Sequence, residues 1–313
     1  MPDIVVTFFI LGLLAGLLRS DLKVPKAAYD TLSLLLMLTI GLKGGLALFG
    51  NLSPGLFVEL LVIASVGAAI PFLLIPLLQH LIGLSKANAC SVAAHYGSVS
   101  AGTFAVGLSY VENLGLDYSP QVTLYLVMLE LPAIIVGLAM HRRLSGDAQK
   151  PSDTTGLWHE TLTNRGVVLL TGGVLIGWMY GPEMGASVTD LFLGAFSGVL
   201  AIFLLEMGLT AADTLRPFPK NAGRALAFAV IAPPVLGTVG IGVSMLLGLS
   251  LGTTIMLAAM IASASYIAAP AAIRVAIPEA DIGLAMLLSL GLTSPFNVIV
   301  GIPLYHSIAT ALL

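Results

Sequence analysis

Ten windows of almost unbroken apolar sequence dominate this chain, at residues 4–18, 31–49, 57–79, 87–110, 121–140, 165–181, 188–209, 224–247, 252–275 and 282–312. Each is close to the length a helix needs to cross a bilayer, and a water-soluble globule has nowhere to bury so many. Composition agrees: 58% of the 313 residues are hydrophobic and 9% are charged, against about 25% charged in an ordinary soluble domain. A membrane barrel needs short segments of alternating polarity, which these windows lack. The 34 Gly and 17 Pro are scattered through the apolar stretches, as membrane helices tolerate, and not gathered into a low-complexity tract. With a net charge of -3 and no basic run, there is no footprint for nucleic acid. A lone Cys90 makes neither a disulfide framework nor a thiolate metal site. The expected partner is the lipid bilayer, and the expected fold is an all-α polytopic membrane protein of ten transmembrane helices.

Charge placement predicts the orientation. Every Lys and Arg except Lys43 falls in the loops after windows one, three, five, seven and nine: Arg19, Lys23, Lys26; Lys86; Arg142, Arg143, Lys150, Arg165; Arg216, Lys220, Arg224; and Arg274. The opposite loops carry only acids such as Glu112, Asp117, Glu183 and Asp190. Basic loops stay in the cytoplasm, so both termini are expected outside it, in a multi-pass protein of the inner (plasma) membrane. The positive charges follow the first apolar run, the reverse of a signal peptide. The longest polar stretch, 141–164, reads as a cytoplasmic linker, with Leu157-Trp158 resting at the interface.

That linker divides the chain into 1–140 and 165–313, each with five windows. An odd number forces the second half to cross the bilayer in the opposite sense, so any repeat is inverted. Traces of one exist: Ile40-Gly41-Leu42-Lys43-Gly44-Gly45 against Met207-Gly208-Leu209-Thr210-Ala211-Ala212, Ser98-Val99-Ser100 against Ser263-Ala264-Ser265, and Pro132 with Ile134 to Gly137 against Pro295 with Val298 to Gly301. Three matches in one order, with that topology, point to an inverted-repeat transporter; chance likeness among small apolar residues is the competing account.

Two of these segments sit inside the fourth and ninth windows. Gly97, Ser98, Val99, Ser100, Gly102 and Thr103 interrupt one; Ser263, Ala264, Ser265 and Tyr266, followed by Pro270, interrupt the other. Gly and Pro weaken a helix at mid-membrane. Both helices are therefore expected to be discontinuous, and inverted symmetry would bring half-helix N-termini with free N–H groups to one point where a small anion binds. Freed carbonyls and the hydroxyls of Ser98 and Ser265 suit sodium. The plainer alternative is that small residues only let helices pack closely.

Ionisable groups inside the spans are costly and functional by default. Glu130 precedes Leu131-Pro132, where the proline frees a carbonyl, and the matching segment offers Ser294 and Asn297; these are the expected cation-side residues. Lys43 and Glu206 are neighbours in the repeat alignment and are expected either to pair or to serve transport. Glu59 is expected to snorkel to the outer interface. His95 is a proton carrier or substrate donor on one reading and a hydrogen-bonded bundle residue on the other; His306 is placed at the interface.

Enzyme chemistry finds no support. Ser98-Val99-Ser100-Ala101-Gly102 lacks the first Gly and the strand–turn–helix setting of a nucleophile elbow. There is no Walker motif, H-E-x-x-H or dinucleotide fingerprint, so an ion gradient is the expected driving force.

At these segments the chain resembles the sodium-dependent bicarbonate transporter family, the SbtA type. The likeness rests on Ile40 to Gly45, Gly97 to Ser100, Glu130-Leu131-Pro132-Ala133, Leu204 to Gly208, Ser263 to Ala272, Pro295-Phe296-Asn297 and Gly301 to Tyr305, and spans nearly the whole chain. It implies two inverted five-helix repeats, a core domain with crossed broken helices moving against a gate domain, a homotrimer, and symport of bicarbonate with sodium. Bicarbonate would then sit between the two Ser segments. The resemblance also brings a PII-like cytoplasmic regulator into view, although the linker here is shorter than the one that accompanies such regulation. Competing readings are a sodium symporter of another small carboxylate and a membrane receptor that binds an anion without moving it.

Overall fold

The computed structural model describes residues 4–50, 54–145, 163, 165–215 and 222–313. Among them there is no strand; every apolar window is helical. The elements are α1 (Ile4–Leu17), α2 (Lys26–Leu48), α3 (Pro54–Leu77, continued by a π turn Leu78–Ile82), α4 (Lys86–Gly97), α5 (Ala101–Asn113), α6 (Val122–Ser145), α7 (Arg165–Thr214), α8 (Gly223–Leu246), α9 (Leu251–Ile261), α10 (Ala268–Ala276) and α11 (Ile282–Leu312, with π turns at Leu287–Thr293 and Asn297–Gly301). Most of the interface linker with Trp158, together with Lys150, Arg216 and Lys220, lies outside the described residues.

Six helices of the described residues are long and apolar enough to cross a membrane, where the sequence led us to expect ten spans. The difference has identifiable causes. The sixth and seventh windows are covered by the 50-residue α7, whose two arms meet at Gly181. The fourth and ninth windows are each two short helices, and α1 is 14 residues long. At Gly181 the backbone takes φ 63, and a Cβ there would lie 2.9 Å from the Phe49 ring. Left-handed φ and close approach both require glycine, and Pro182 follows.

Close backbone contact between small residues fastens α1 and α2 to α7. The second arm of α7 lies on α1, with Gly208 against Phe9, Gly12 and Leu13; the first arm lies on α2, with Gly173 against Gly41 and Leu38. A Cβ on Gly12 or Gly45 would strike the backbone of Leu205 or Val174. This is how helices associate where lipid competes for apolar contact and van der Waals fit carries the energy. The remaining helices form a second group around α4, α5 and α9, which are buried almost throughout. In it α6 packs on α3 through Gly67 and Leu129, and on α4 through Gly137 and Ala94; α8 packs on α9 through Gly240 and Ala258.

Polar contacts separate the two ends of the molecule. At one end Lys86 donates to the Leu144 carbonyl, Arg165 pairs with Asp30, His141 meets Glu279, and Arg224 reaches the Leu81 carbonyl. At the other, Lys43 pairs with Glu112, and Ser250 donates to the Asp117 carbonyl. The described basic residues of the odd-numbered loops thus share an end with one another and not with Lys43.

Candidate functional site

Both interruptions fall where the small polar residues stand. α4 stops at Gly97; Ser98 and Ser100 are extended (φ -91, ψ 151 and φ -89, ψ 114), and α5 starts at Ala101. α9 ends at Ile261, and α10 starts at Ala268. A broken helix exposes backbone groups that water would satisfy elsewhere; in an apolar interior each orphan costs about 1–3 kcal/mol. Here the two breaks satisfy one another. The Ser100 amide donates to the Ser263 hydroxyl at 2.9 Å, and the Ser265 amide donates to the carbonyls of His95 at 2.7 Å and Ser98 at 3.2 Å. The Ser263 hydroxyl passes its own proton to the Met260 carbonyl at 2.7 Å.

Each break also supplies its helix with a serine cap. Ser100 Oγ accepts from the Thr103 amide at 3.0 Å, and Ser265 Oγ accepts from the Ala269 amide at 3.2 Å. Such oxygens satisfy the first free N–H groups of a helix. The N-terminal, positive dipole ends of α5 and α10 therefore both start at the breaks.

Tyr266 closes one side. Ser100 Oγ donates to its phenol oxygen at 2.9 Å, and the phenol donates to Met207 Sδ at 3.0 Å, joining the break to the second arm of α7. Gly102 has no room for a side chain, because a Cβ would stand 2.2 Å from the Tyr266 oxygen. Phe203, beside it, stacks on Tyr29 of α2 with ring centroids 5.4 Å apart. Met207 was not among the expected site residues, although it opens the segment that aligns with Ile40 to Gly45.

Several buried polar atoms at the breaks have no hydrogen-bond partner among the described residues: Ser98 Oγ, Thr103 Oγ1 and His95 Nε2. Ser294, on α11, is buried beside Tyr266. His95 does hold the Ser91 carbonyl through Nδ1 at 2.8 Å, as a bundle residue would, but its other nitrogen is free. Native interiors leave few such atoms orphaned, and orphans ask for a ligand. Val99 and Ala264, between the paired serines, are buried and contribute backbone only.

The expected cation-side residues are brought to the same level by different means. Glu130, Ala133 and Gly137 share a face of α6. Ala133 abuts Gly97 and Gly137 abuts Ala94, so Glu130, one turn earlier, is carried to the height of the break at 98–100. Its side chain is 7% exposed, and no hydrogen bond or ion pair reaches it among the described residues. Asn297 is fully buried; its amide nitrogen donates to the Ala262 carbonyl, freed at the end of α9, at 2.9 Å, and its oxygen accepts from Tyr305 at 2.7 Å. Thr293, which opens the same segment as Ser294 and Asn297, accepts from the Tyr96 hydroxyl at 2.6 Å and donates to the Ala229 carbonyl at 2.9 Å.

Lys43 and Glu206 do not pair. Lys43 binds Glu112 at 2.6 Å and lies 4.7 Å from the centroid of the Phe196 ring, while Glu206 accepts from Thr210 and lines a cavity with Arg19, Lys23 and Asp213. Lys43 stands at the end of the molecule with Glu112, and Glu206 stands beside the basic residues Arg19 and Lys23. Tyr118, in the loop before α6, also donates to Glu112, at 2.8 Å; burial and that carboxylate raise its pKa, so it remains a neutral donor. Glu59, half-buried near the start of α3, accepts from Tyr125 at 2.6 Å. His306 Nδ1 meets the Tyr110 hydroxyl at 3.0 Å.

Helices long and apolar enough to cross a membrane, packed around two buried polar breaks, describe a multi-pass membrane protein. The chain belongs to the Na+-dependent bicarbonate transporter superfamily, whose family model matches residues 4–310. Membership makes it a transporter and not an enzyme. No curated protein matches the chain at a significant level.

Proposed function

We propose that this protein is a sodium-coupled symporter that imports bicarbonate by alternating access, holding the anion between the breaks of α4–α5 and α9–α10. The observation that carries this reading is the reciprocal bonding of the breaks, Ser100 to Ser263 and Ser265 to His95 and Ser98, beside the unpartnered hydroxyls of Ser98 and Thr103. Bicarbonate is a small planar anion that accepts from hydroxyls and helix N-termini. The family supplies the substrate class and makes sodium the coupling ion.

The architecture of this proposal is ten spans in two inverted repeats, 1–140 and 165–313, joined by the linker 141–164. Its support is the reciprocity of the close contacts: Gly208 packs on Gly12 as Gly41 packs on Gly173, and Gly41 is the repeat partner of Gly208. α1, α2 and α7 form the gate; the other helices form the core that moves. Basic loops gathered at one end support a cytoplasmic assignment for that end, in the plasma membrane, with both termini outside. A homotrimer and control by a PII-like protein follow the family resemblance and rest on it alone.

In this account sodium lies on the Glu130 side of the breaks, taking the carboxylate together with hydroxyl or carbonyl oxygens of the Ser98, Ser265, Ser294 and Asn297 segments. Neutralising Glu130 and ordering both breaks raises affinity for the anion before the core moves. Titration calorimetry of the purified protein tests the site. Bicarbonate binding that requires sodium, and weakens in Ser98→Ala, supports it; sodium-dependent binding of small organic acids in preference to bicarbonate transfers the same site to another carboxylate.

A further inference from the structure

The cavity of about 610 Å³ between α3 and α8 has no part in the transport site. Its volume is within the range of ligand pockets, about 300–1,000 Å³, and its walls are ordered in polarity. His80 and Arg224 stand at one end, and Leu74, Leu77, Ile231 and Val235 continue away from them. The charged end belongs to the end of the molecule where the basic loops gather, since Arg224 bridges at 3.5 Å to the Leu81 carbonyl. Two irregularities open the groove: the π turn Leu78–Ile82 on α3 and the adjacent Pro233 and Pro234 within α8.

Arg224 is oddly placed for a residue that serves only the fold. It occupies the first turn of α8, where the helix dipole disfavours a cation. Ala222, the cap residue, offers no side-chain acceptor to the first amides, and no acid stands in that turn. Among the described residues no carboxylate pairs with Arg224. A positive helix end and a guanidinium whose one side-chain bond among the described residues is to the Leu81 carbonyl suit an anion. From Arg224 to Val235 the groove runs about 17 Å at 1.5 Å per residue, close to one leaflet of a hydrocarbon core about 30 Å thick. Ile231 and Val235 are 62% and 55% exposed along it.

We infer that this groove binds one acidic phospholipid of the leaflet on the basic-loop side, its phosphate held by Arg224, His80 and the first amides of α8, and an acyl chain laid between α3 and α8. A headgroup at Arg224 and an apolar tail along Leu77 and Ile231 satisfy both parts of the groove. Anionic lipids collect in this way at basic pockets between membrane helices.

Native mass spectrometry of the full-length protein, extracted from bilayers of equal phosphatidylglycerol and phosphatidylcholine, tests the inference. Phosphatidylglycerol should be retained over phosphatidylcholine by about fivefold, the size expected of one added cationic contact. Arg224→Gln should abolish that preference. Val235→Trp, which fills the groove without touching the cation, should lower retention of the bound lipid and guards against misfolding of the first variant. Equal retention of both lipids by the unmodified protein, or a preference unchanged in both variants, overturns the inference. So does disulfide joining of two copies through Ile231→Cys in the same bilayers, which would make the groove a seat between protomers.

Discussion

The backbone amide of Ser100 donates to the side-chain oxygen of Ser263 at 2.9 Å, joining two helix breaks that are 163 residues apart in sequence. Each break is a liability alone, and the bond turns the pair into one buried polar unit. The unit contains serines of two kinds. Ser263 is committed to the fold, whereas Ser98 Oγ has no partner among the described residues.

Those two serines should therefore fail differently. Ser263→Ala strands the Ser100 amide and should cost about 1–3 kcal/mol of stability, seen as a lower melting temperature in detergent. Ser98→Ala removes a hydroxyl without stranding anything, so melting should hold while the half-saturation for bicarbonate rises about two- to tenfold, the worth of one neutral hydrogen bond. The reverse pattern would remove Ser98 from the anion site.

Glu130 is buried without a partner among the described residues, so its charge costs the fold unless a cation offsets it. Glu130→Gln should keep or raise the melting temperature and raise the half-saturation for sodium about tenfold, the loss expected for one charge-assisted contact. Sodium dependence identical to that of the parent protein would place the cation elsewhere.

Gly102 is held by Tyr266. Gly102→Ala drives a methyl to 2.2 Å from the phenol oxygen and should stop uptake, with partial recovery in the double variant carrying Tyr266→Phe. Recovery checks the contact itself; equal loss in single and double variants would show that the glycine serves some other need.

How much of this was legible beforehand differs by element. The windows were visible because continuous apolar sequence has few other uses, and the breaks because Gly97, Ser98 and Ser100 or Ser263 and Ser265 are poor residues for mid-helix. Span counting is a different matter: the sequence ends its sixth window at Gly181 and opens the seventh at 188, and α7 bends at Gly181, its two arms covering the two windows. The bonding of Ser265 to His95, and the capture of the Ala262 carbonyl by Asn297, depend on segments distant in sequence, which periodicity does not reveal. The partner of Lys43 was misread for the same reason, since Glu112 stands in the last turn of α5 and reaches α2 only through tertiary packing.

That correction carries its own prediction. A double-mutant cycle of Lys43→Met and Glu112→Gln should yield about 0.2–1 kcal/mol of coupling, the range for a partly exposed pair. A cycle of Lys43→Met with Glu206→Gln should yield none.

The most direct measurement is accumulation of radiolabelled bicarbonate in sealed proteoliposomes at a pH where bicarbonate predominates, with and without an inward sodium gradient. Coupled symport predicts transient accumulation above the external concentration only when the gradient is present, and its collapse when a sodium ionophore is added. Bicarbonate that binds the protein but never accumulates, whatever the gradient, would contradict symport and describe a receptor.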